Sequence, residues 1–377
     1  MILPRVLPRF AALASLFSAT LVLLVGVGCD NGSVFRPSPS GPKPLPPGTP
    51  GTWQDLELSN GFVEVQALAS WNGNLIAGGS FFDVGGSPST SLASWDGTSW
   101  TRMGPNFGGN VRGITTYNGH LVVCGSFPHI NGDTVRYVGE WDGVQWTPLG
   151  SGPNRSATAL AVYNGDLIMG GLFESAGGVP ASNIARWDGT SWHPLGEGLN
   201  SSVSTLTVFQ GRLVAGGYFY RADGALAPGI AAWDGFAWSS LGAGVGGAVF
   251  GNPFGTVHAL AVHGDSLIVG GDFTSAGGVP AYHVAKWDGA QWDSLASGVG
   301  QFSYENVRAL AEYADTLVVG GSFPGNVRRW TGSAWVPMDS LTGGVDALTV
   351  HDGWLIAGGF FPREPGQNAN GIARWVK

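Results

Sequence analysis

Cysteine is almost absent from this sequence: Cys29 and Cys124 are the two in 377 residues. If Cys29 is modified, Cys124 is alone and no disulfide framework can hold the fold. Cys124 reads as a small buried apolar residue, in a strand slot filled elsewhere by Ala, Met or Val. Charge is also scarce, at 12% of residues, and positive charge is the scarcer sign. Arg5, Arg9, Asp30, Arg36 and Lys43 precede residue 52, which leaves 14 basic against 25 acidic residues beyond it, a net charge of −11. A surface of that sign repels phosphate backbones and anionic headgroups. Nucleic acid and a bare lipid surface are therefore excluded as partners. Catalytic signatures are missing too. There is no G-x-S-x-G elbow, and the Gly-Gly pairs end strands instead of opening phosphate-binding helices. The histidines at 120, 129, 193, 258, 263, 283 and 351 show no H-x-x-x-H or Cys–His metal spacing. No metal and no cofactor is expected.

What the chain has in abundance is glycine, with 63 residues, and tryptophan, with 16. Glycine at this level without a collagen period, beside 44% hydrophobic residues, points to many short strands and tight turns and not to disorder. Internal repetition bears this out. A Trp, mostly within Trp-Asp-Gly, recurs at Trp95, Trp141, Trp187, Trp233, Trp287, Trp330 and Trp375, at spacings of 43 to 54 residues. A Phe after Gly-Gly recurs at Phe81, Phe127, Phe173, Phe219, Phe273, Phe323 and Phe361.

Each repeat reads as four strands, here lettered A to D. In the third repeat A is Ala-Leu-Ala-Val, B is Leu-Ile-Met-Gly-Gly, C is Ile-Ala-Arg-Trp and D starts at the second Trp, Trp192. Asn-Gly between A and B, and Asp-Gly between C and D, favour hairpin turns because these residues tolerate φ > 0. The Asp of Trp-Asp-Gly is thus expected to turn the chain, not to catalyse. Strand B is a continuous apolar run, the mark of a sheet buried on both faces. Strand A carries small residues such as Ala159 and Ala161, suited to strands that converge on an axis. The last repeat stops at Lys377, before its D strand, and a matching segment, Trp53-Gln54-Asp55-Leu56, stands at the start. The expected fold is all-β: a seven-bladed β-propeller of four-stranded antiparallel blades. Its N-terminal strand completes the last blade and closes the ring.

Ahead of residues 52–377, two segments read differently. Residues 1–29 look like an export signal, with Arg5 and Arg9 before an apolar run from Phe10 to Gly28. Gly26-Val27-Gly28-Cys29 resembles a bacterial lipobox without its usual Leu, which makes Cys29 the candidate lipidation site. Simple signal cleavage and an uncleaved anchor are alternatives, and all three place the domain outside the cytoplasm. Residues 30–51 form a Pro-rich, semi-rigid spacer.

The repeat N-I-A-R-W-D-G-x-x-W-x-x-L-G resembles the Kelch-like WDG repeats of bacterial surface proteins and lipoproteins. It is similar to the repeat region of fungal cortical cell-polarity marker proteins. The Gly-His dipeptide of WD repeats is absent, and the Asp-box spacing of sialidases is not matched. The resemblance implies a propeller at a cell surface and carries no catalytic residues onto this chain. Some Kelch-like propellers are copper oxidases with a Cys–Tyr crosslink, which the buried slot of Cys124 does not fit. Asn131-Gly132-Asp133 could touch Ca²⁺, but a turn is the simpler reading, since no calcium-loop pattern follows.

A ligand site is expected among the longer B–C and D–A loops, on the face opposite the tight turns. Aromatic residues stand in two D–A insertions: Phe250 and Phe254 near 245–257, and Phe302 and Tyr304 near 300–306. They either contact a partner or pack on neighbouring blades. One strand A position varies among the otherwise uniform repeats and is mostly polar: Gln66, Arg112, Thr158, Ser204, His258, Arg308 and Asp346. Sevenfold geometry would set these residues around the channel mouth, as a ligand-binding ring or as a solvated rim. The functional expectation is a non-catalytic, envelope-anchored or secreted module for protein or glycan binding, monomeric, touching membrane only through a lipid anchor. The alternative is a secreted carbohydrate-active hydrolase or lyase using loop carboxylates such as Glu174, Glu197, Asp223 and Glu305.

Overall fold

The computed structural model describes residues 51–376 apart from 60, 62, 85–86, 105–106, 131–135, 250–251, 301, 303, 340 and 362–369. The expected signal segment with Cys29, the spacer up to residue 50, Asn131-Gly132-Asp133 and Phe250 lie outside the described residues. The described part is all-β. Seven sheets share one four-stranded antiparallel order, A-B-C-D, and short hairpins decorate one side. In the third repeat the strands are Ala157–Tyr163, Asp166–Gly171, Ile184–Trp187 and Trp192–Pro194.

Local chemistry explains each turn. Between A and B, Asn164 and Gly165 have φ of 51° and 87°, the mirror-image turn that matches strand twist. Between C and D the turn needs only one positive φ value. Gly189 alone adopts one, at 98°, while Asp188 accepts the backbone N–H groups of Thr190 and Ser191 at 2.8 Å each. Hydrogen bonds from the Thr190 hydroxyl and these N–H groups hold the Asp188 carboxyl well below its usual range. In the same turn of the first repeat, the backbone N–H of Ser99 leads a set of bonds that lowers Asp96 to about 2. The Asp of Trp-Asp-Gly is a turn residue.

Strand A holds one more residue than strand B can pair with. Ala157 pairs with Gly171 and Ala159 with Gly170, so Thr158 is left over as a β-bulge. The same shift occurs in every repeat, and the extra residues are Gln66, Arg112, Thr158, Ser204, His258, Arg308 and Asp346. The Gly-Gly of strand B admits this arrangement. A Cβ on the second Gly would strike the strand A backbone, as at Gly171 against the Ser156 carbonyl oxygen. A Cβ on the first Gly would press into a Val of the next sheet: Gly78 into Val111, Gly170 into Val203, Gly216 into Val257, Gly270 into Val307 and Gly320 into Val345. Gly358 of the last repeat meets Val65 of the first in the same way.

Cys124 departs from this rule and corrects its sequence assignment. Its register, opposite Gly113, puts it in the slot of the first Gly and not the Ala, Met or Val slot. Two neighbouring positions shrink to make room. Residue 113 is Gly where other repeats have Ala or Thr, and a Cβ there would stand 2.7 Å from the Cys124 sulfur. Residue 157, in the place of the facing Val, is Ala and shares an apolar cluster with Cys124. The thiol is fully buried, and burial pushes its pKa up, so it stays protonated and inert.

Between sheets the packing is apolar and continuous. Each buried cluster draws on two consecutive repeats, and one joins the last repeat to the first through Ile356, Ile372, Val65 and Leu75. The recurring Phe is 5% exposed or less in every repeat. Strand D adds a directional link, because its Trp donates its indole N–H to a backbone carbonyl of the preceding repeat. The pairs are Trp100 to Leu56, Trp192 to Leu149, Trp238 to Leu195, Trp292 to Leu241 and Trp335 to Leu295, at 2.7 to 3.1 Å. The inner strands touch in sequence order, and Gly344–His351 of the seventh repeat in turn touches Val63–Trp71 of the first.

The segment Thr52–Asp55 pairs antiparallel with Ile372–Val376, in register from Thr52↔Val376 to Asp55↔Ala373. Trp53 is 1% exposed, packs edge-on against Trp375 at 5.2 Å and donates to the Asp339 carbonyl at 2.8 Å. This is strand D of the seventh sheet, as the sequence implied. Thr52 opens that strand at the end occupied elsewhere by the C–D turn, on the tight-turn face.

Two outcomes follow for stability. Trp53→Ala should cost about 3–5 kcal/mol, and deletion of residues 52–57 at least as much, both read by urea unfolding; an unchanged midpoint would contradict the pairing. Ala157→Val should cost about 1–3 kcal/mol by overpacking against Cys124. Adding Cys124→Gly should restore most of that loss, so that a double-mutant cycle gives a clear coupling energy.

Candidate functional site

The bulge decides where the variable residues go. An unpaired strand residue bends its strand and re-aims its side chain. All seven extra residues line one central cavity of 720 Å³. Sequence reasoning had grouped them by variability, and the structure brings all of them together. The cavity is layered. Below the polar ring come Ala67, Gly113, Ala159, Thr205, Ala259, Ala309 and Ala347, and an apolar collar also lines it, in which Leu68, Leu310 and Leu348 stay partly exposed while Ile114, Leu160 and Leu260 are buried between sheets. A polar rim over an apolar wall, in a cavity of this size, is the usual build of a small-ligand or side-chain pocket.

Around the ring the electrostatics are uneven. Arg308 Nη1 donates to Asp346 Oδ1 at 2.8 Å. Burial raises the Asp346 pKa, while Arg308 opposes the rise. His258 Nε2 lies 3.0 Å from Asp272 Oδ2, and Gln66 Nε2 donates to Glu64 Oε1 at 3.0 Å. The Thr158 hydroxyl donates to the Val203 carbonyl of the next repeat. Arg112 and Ser204 differ from these. Among the described residues neither has a hydrogen-bond or ion-pair partner, and Arg112 is exposed. Asp272 and Glu64 were not singled out from sequence. Each sits near the bulge of its own repeat, and register alone places it there.

The side that carries the B–C and D–A connections holds more structure than loops. In the third, fourth and fifth repeats the B–C segment forms a small hairpin, such as Ser175–Ala176 with Val179–Pro180. Gly177 and Gly178, with φ of 62° and 81°, make its turn. The insertion expected as a loop near 245–257 is a hairpin too. Val245–Val249 pairs with Asn252–Phe254 and also with Ser275–Ala276, which builds a four-stranded flap. Tyr220 stacks on Phe254 at 5.4 Å with rings 8° from parallel. Phe302 and Tyr304 stack likewise at 5.2 Å, yet stay 54% and 63% exposed. Buried His283, held neutral by desolvation, donates from Nε2 to the Phe302 carbonyl at 3.1 Å, while Glu305 accepts the Phe302 N–H at 2.9 Å. Of the two readings of these aromatics, exposure applies to Phe302 and Tyr304, and packing to Phe254.

The remaining candidates scatter. His193 caps the Asp188 turn at 2.7 Å, His120 pairs with Glu140, and His263 lies 3.3 Å from Glu312. Glu174 faces Arg155 at 3.7 Å, and Asp223 accepts the backbone N–H of Glu197 and Trp238. Among the described residues no three His, Cys, Asp or Glu side chains gather as a metal site would require. The Asp346 environment gives a pH outcome. A carboxyl whose folded pKa is raised favours the folded state most at low pH and loses that contribution as pH rises through the folded value. The Asp346 carboxyl should therefore titrate above 3.8 by NMR, and Arg308→Ala should move the midpoint higher still; a midpoint at or below the ordinary value would contradict the burial argument.

No protein-family model and no curated protein matches the sequence. Solved structures do match in shape. The extracellular domain of a hybrid two-component system from B. thetaiotaomicron aligns with a TM-score of 0.61 at 11% identity, over 86% of this chain and 39% of that one. This chain thus spans well under half of that domain's length. The WD40 repeats of RRP9 align at a TM-score of 0.53 and 13% identity, over 86% of this chain and 99% of that one. YCF48 bound to a D1 peptide aligns at 0.53 and 13%, over 90% and 98%. WD40 repeats build β-propellers. At these identities the likeness speaks for the fold alone, and that fold is a β-propeller.

Proposed function

We propose that this protein is a seven-bladed β-propeller of the Kelch-like WDG type, clasped by its own N-terminal strand, that serves as a non-catalytic binding module for a protein segment. The observation that carries the reading is the ring: seven side chains of six residue types converge on one cavity while the strands that frame it repeat one pattern. A scaffold needs no such variety, whereas recognition does. Pairing of Thr52–Asp55 with the last repeat and the contact of first and last inner strands support the clasped ring. Binding over catalysis is favoured because the carboxylates at the rim are already engaged: Asp346 by Arg308, Asp272 by His258 and Glu64 by Gln66. A peptide partner draws support from YCF48, a propeller-like neighbour whose structure holds a peptide.

In this reading the protein is exported, with Cys29 as its lipid anchor and residues 30–51 as a spacer to the envelope. The chain enters the domain on the tight-turn face, so the ring and the exposed Phe302–Tyr304 stack point away from the attachment. The stack gives glycans a second claim, since exposed parallel rings suit sugar faces as well as side chains.

Paired peptide-array and glycan-array screens of the full-length protein, with a hydrolysis readout on each hit, test the proposal. Peptide hits without turnover are expected, and Arg112→Ala/His258→Ala/Arg308→Ala should abolish them. Turnover of a glycan, or hits indifferent to the triple substitution, would sink the ring as the binding site.

A further inference from the structure

The ring is chemically lopsided. On one arc, His258 is engaged by Asp272, Arg308 pairs with Asp346, and Gln66 is tied to Glu64. On the other arc stand Arg112, Thr158 and Ser204, contributed by three consecutive repeats. Arg112 carries a fixed positive charge with no acidic partner among the described residues, although the domain is strongly acidic. An arginine left unpaired at the mouth of a cavity is a ready fork for a carboxylate. Ser204 adds a hydroxyl with no committed partner, and the partly exposed Leu68, Leu310 and Leu348 of the collar share the cavity with these groups. The cavity therefore asks for an anion and an apolar group in close succession.

We infer that the channel mouth captures the free C-terminus of a peptide whose last residue is apolar. In such a residue the carboxylate and the side chain leave the same carbon. One can meet Arg112 at the ring while the other drops into the leucine collar. Ser204 Oγ and Gln66 Oε1, which nothing else among the described residues engages, face the amide groups that follow. An acyl chain would bring no amides to those donors and acceptors, and an internal acidic side chain would hold its carboxylate away from any apolar neighbour. Capture of a chain terminus by fixed donors is a recurring recognition mode. The inference rests on the ring being the binding site, and it adds the class of ligand and the residue that reads it.

The test uses the full-length protein and N-acetylated hexapeptides ending in Leu, with a free carboxylate or a terminal amide. Affinity is measured by calorimetry, and occupancy by methyl NMR of Leu68, Leu310 and Leu348. The acid is expected to shift the collar methyls and to bind about tenfold or more tightly than the amide, the range for a hydrogen-bonded charge. Arg112→Ala should remove that preference, and Arg112→Lys should keep part of it. Arg112 is exposed and unpaired, so neither substitution threatens the fold. If acid and amide bind alike and both shift the collar, the channel remains the site and the terminal carboxylate is wrong. If an internal Asp peptide matches the free terminus, terminus recognition is wrong. If neither peptide shifts the collar while array hits still depend on the ring, the inference fails and the ring reading stands. If those hits also ignore the ring, both fail.

Discussion

One steric constraint recurs in every repeat: strand A is a residue too long for strand B, and the surplus has to bulge. The bulge pushes strand A backbone toward the partner strand, where a side chain would collide with it; the second Gly of Gly-Gly removes that side chain. The first Gly performs the matching task outward and leaves a hollow for a Val of the next sheet. Pairing within a sheet and packing between sheets thus meet at two consecutive residues. The spacing of the sheets, the burial of strand B and the direction of the variable side chains all depend on them.

Cys124 shows how tightly the constraint is enforced. The sheet tolerates a larger residue in the first Gly slot only where two neighbours have lost volume, Ala to Gly at 113 and Val to Ala at 157. Interiors packed to crystal density have little room for a lone exception. The indole N–H of strand D works at the opposite edge of the sheet and reaches the backbone of the preceding repeat. Each sheet is therefore held to its neighbours by apolar contact along its faces, and every sheet but the second, where Trp146 Nε1 has no partner among the described residues, also by a hydrogen bond at its outer margin. That rigidity lets the side chain at the inner rim vary among the repeats without disturbing the frame.

The functional argument follows from that separation. Residues that build the frame are repeated, and residues at the bulge vary. The bulge position is also one whose side chain escapes the packed interior and enters the cavity in all seven repeats. The charges there partly cancel in fixed pairs, which pre-organises one arc of the ring. Arg112 and Ser204 remain uncommitted on the other, and this asymmetry supports the proposed binding mouth.

By itself the sequence determined the strand pattern, the turns, the number of repeats and the complement between Trp53 and the truncated last repeat. These are local or periodic properties, and period and turn chemistry write them directly into the chain. It also marked the seven ring positions, because variability stands out against repetition. It did not disclose the bulge, since an extra residue in one strand is visible only when its partner is in register. For the same reason Cys124 was assigned one position away from its true slot, and the flap formed by 245–254 with the 275–280 hairpin was taken for loop. Only the tertiary structure decided which ring charges are paired and which are left free. Those partners, Asp272 for His258 and Asp346 for Arg308, come from a neighbouring strand or a neighbouring repeat, and distance in space, not spacing in sequence, selects them.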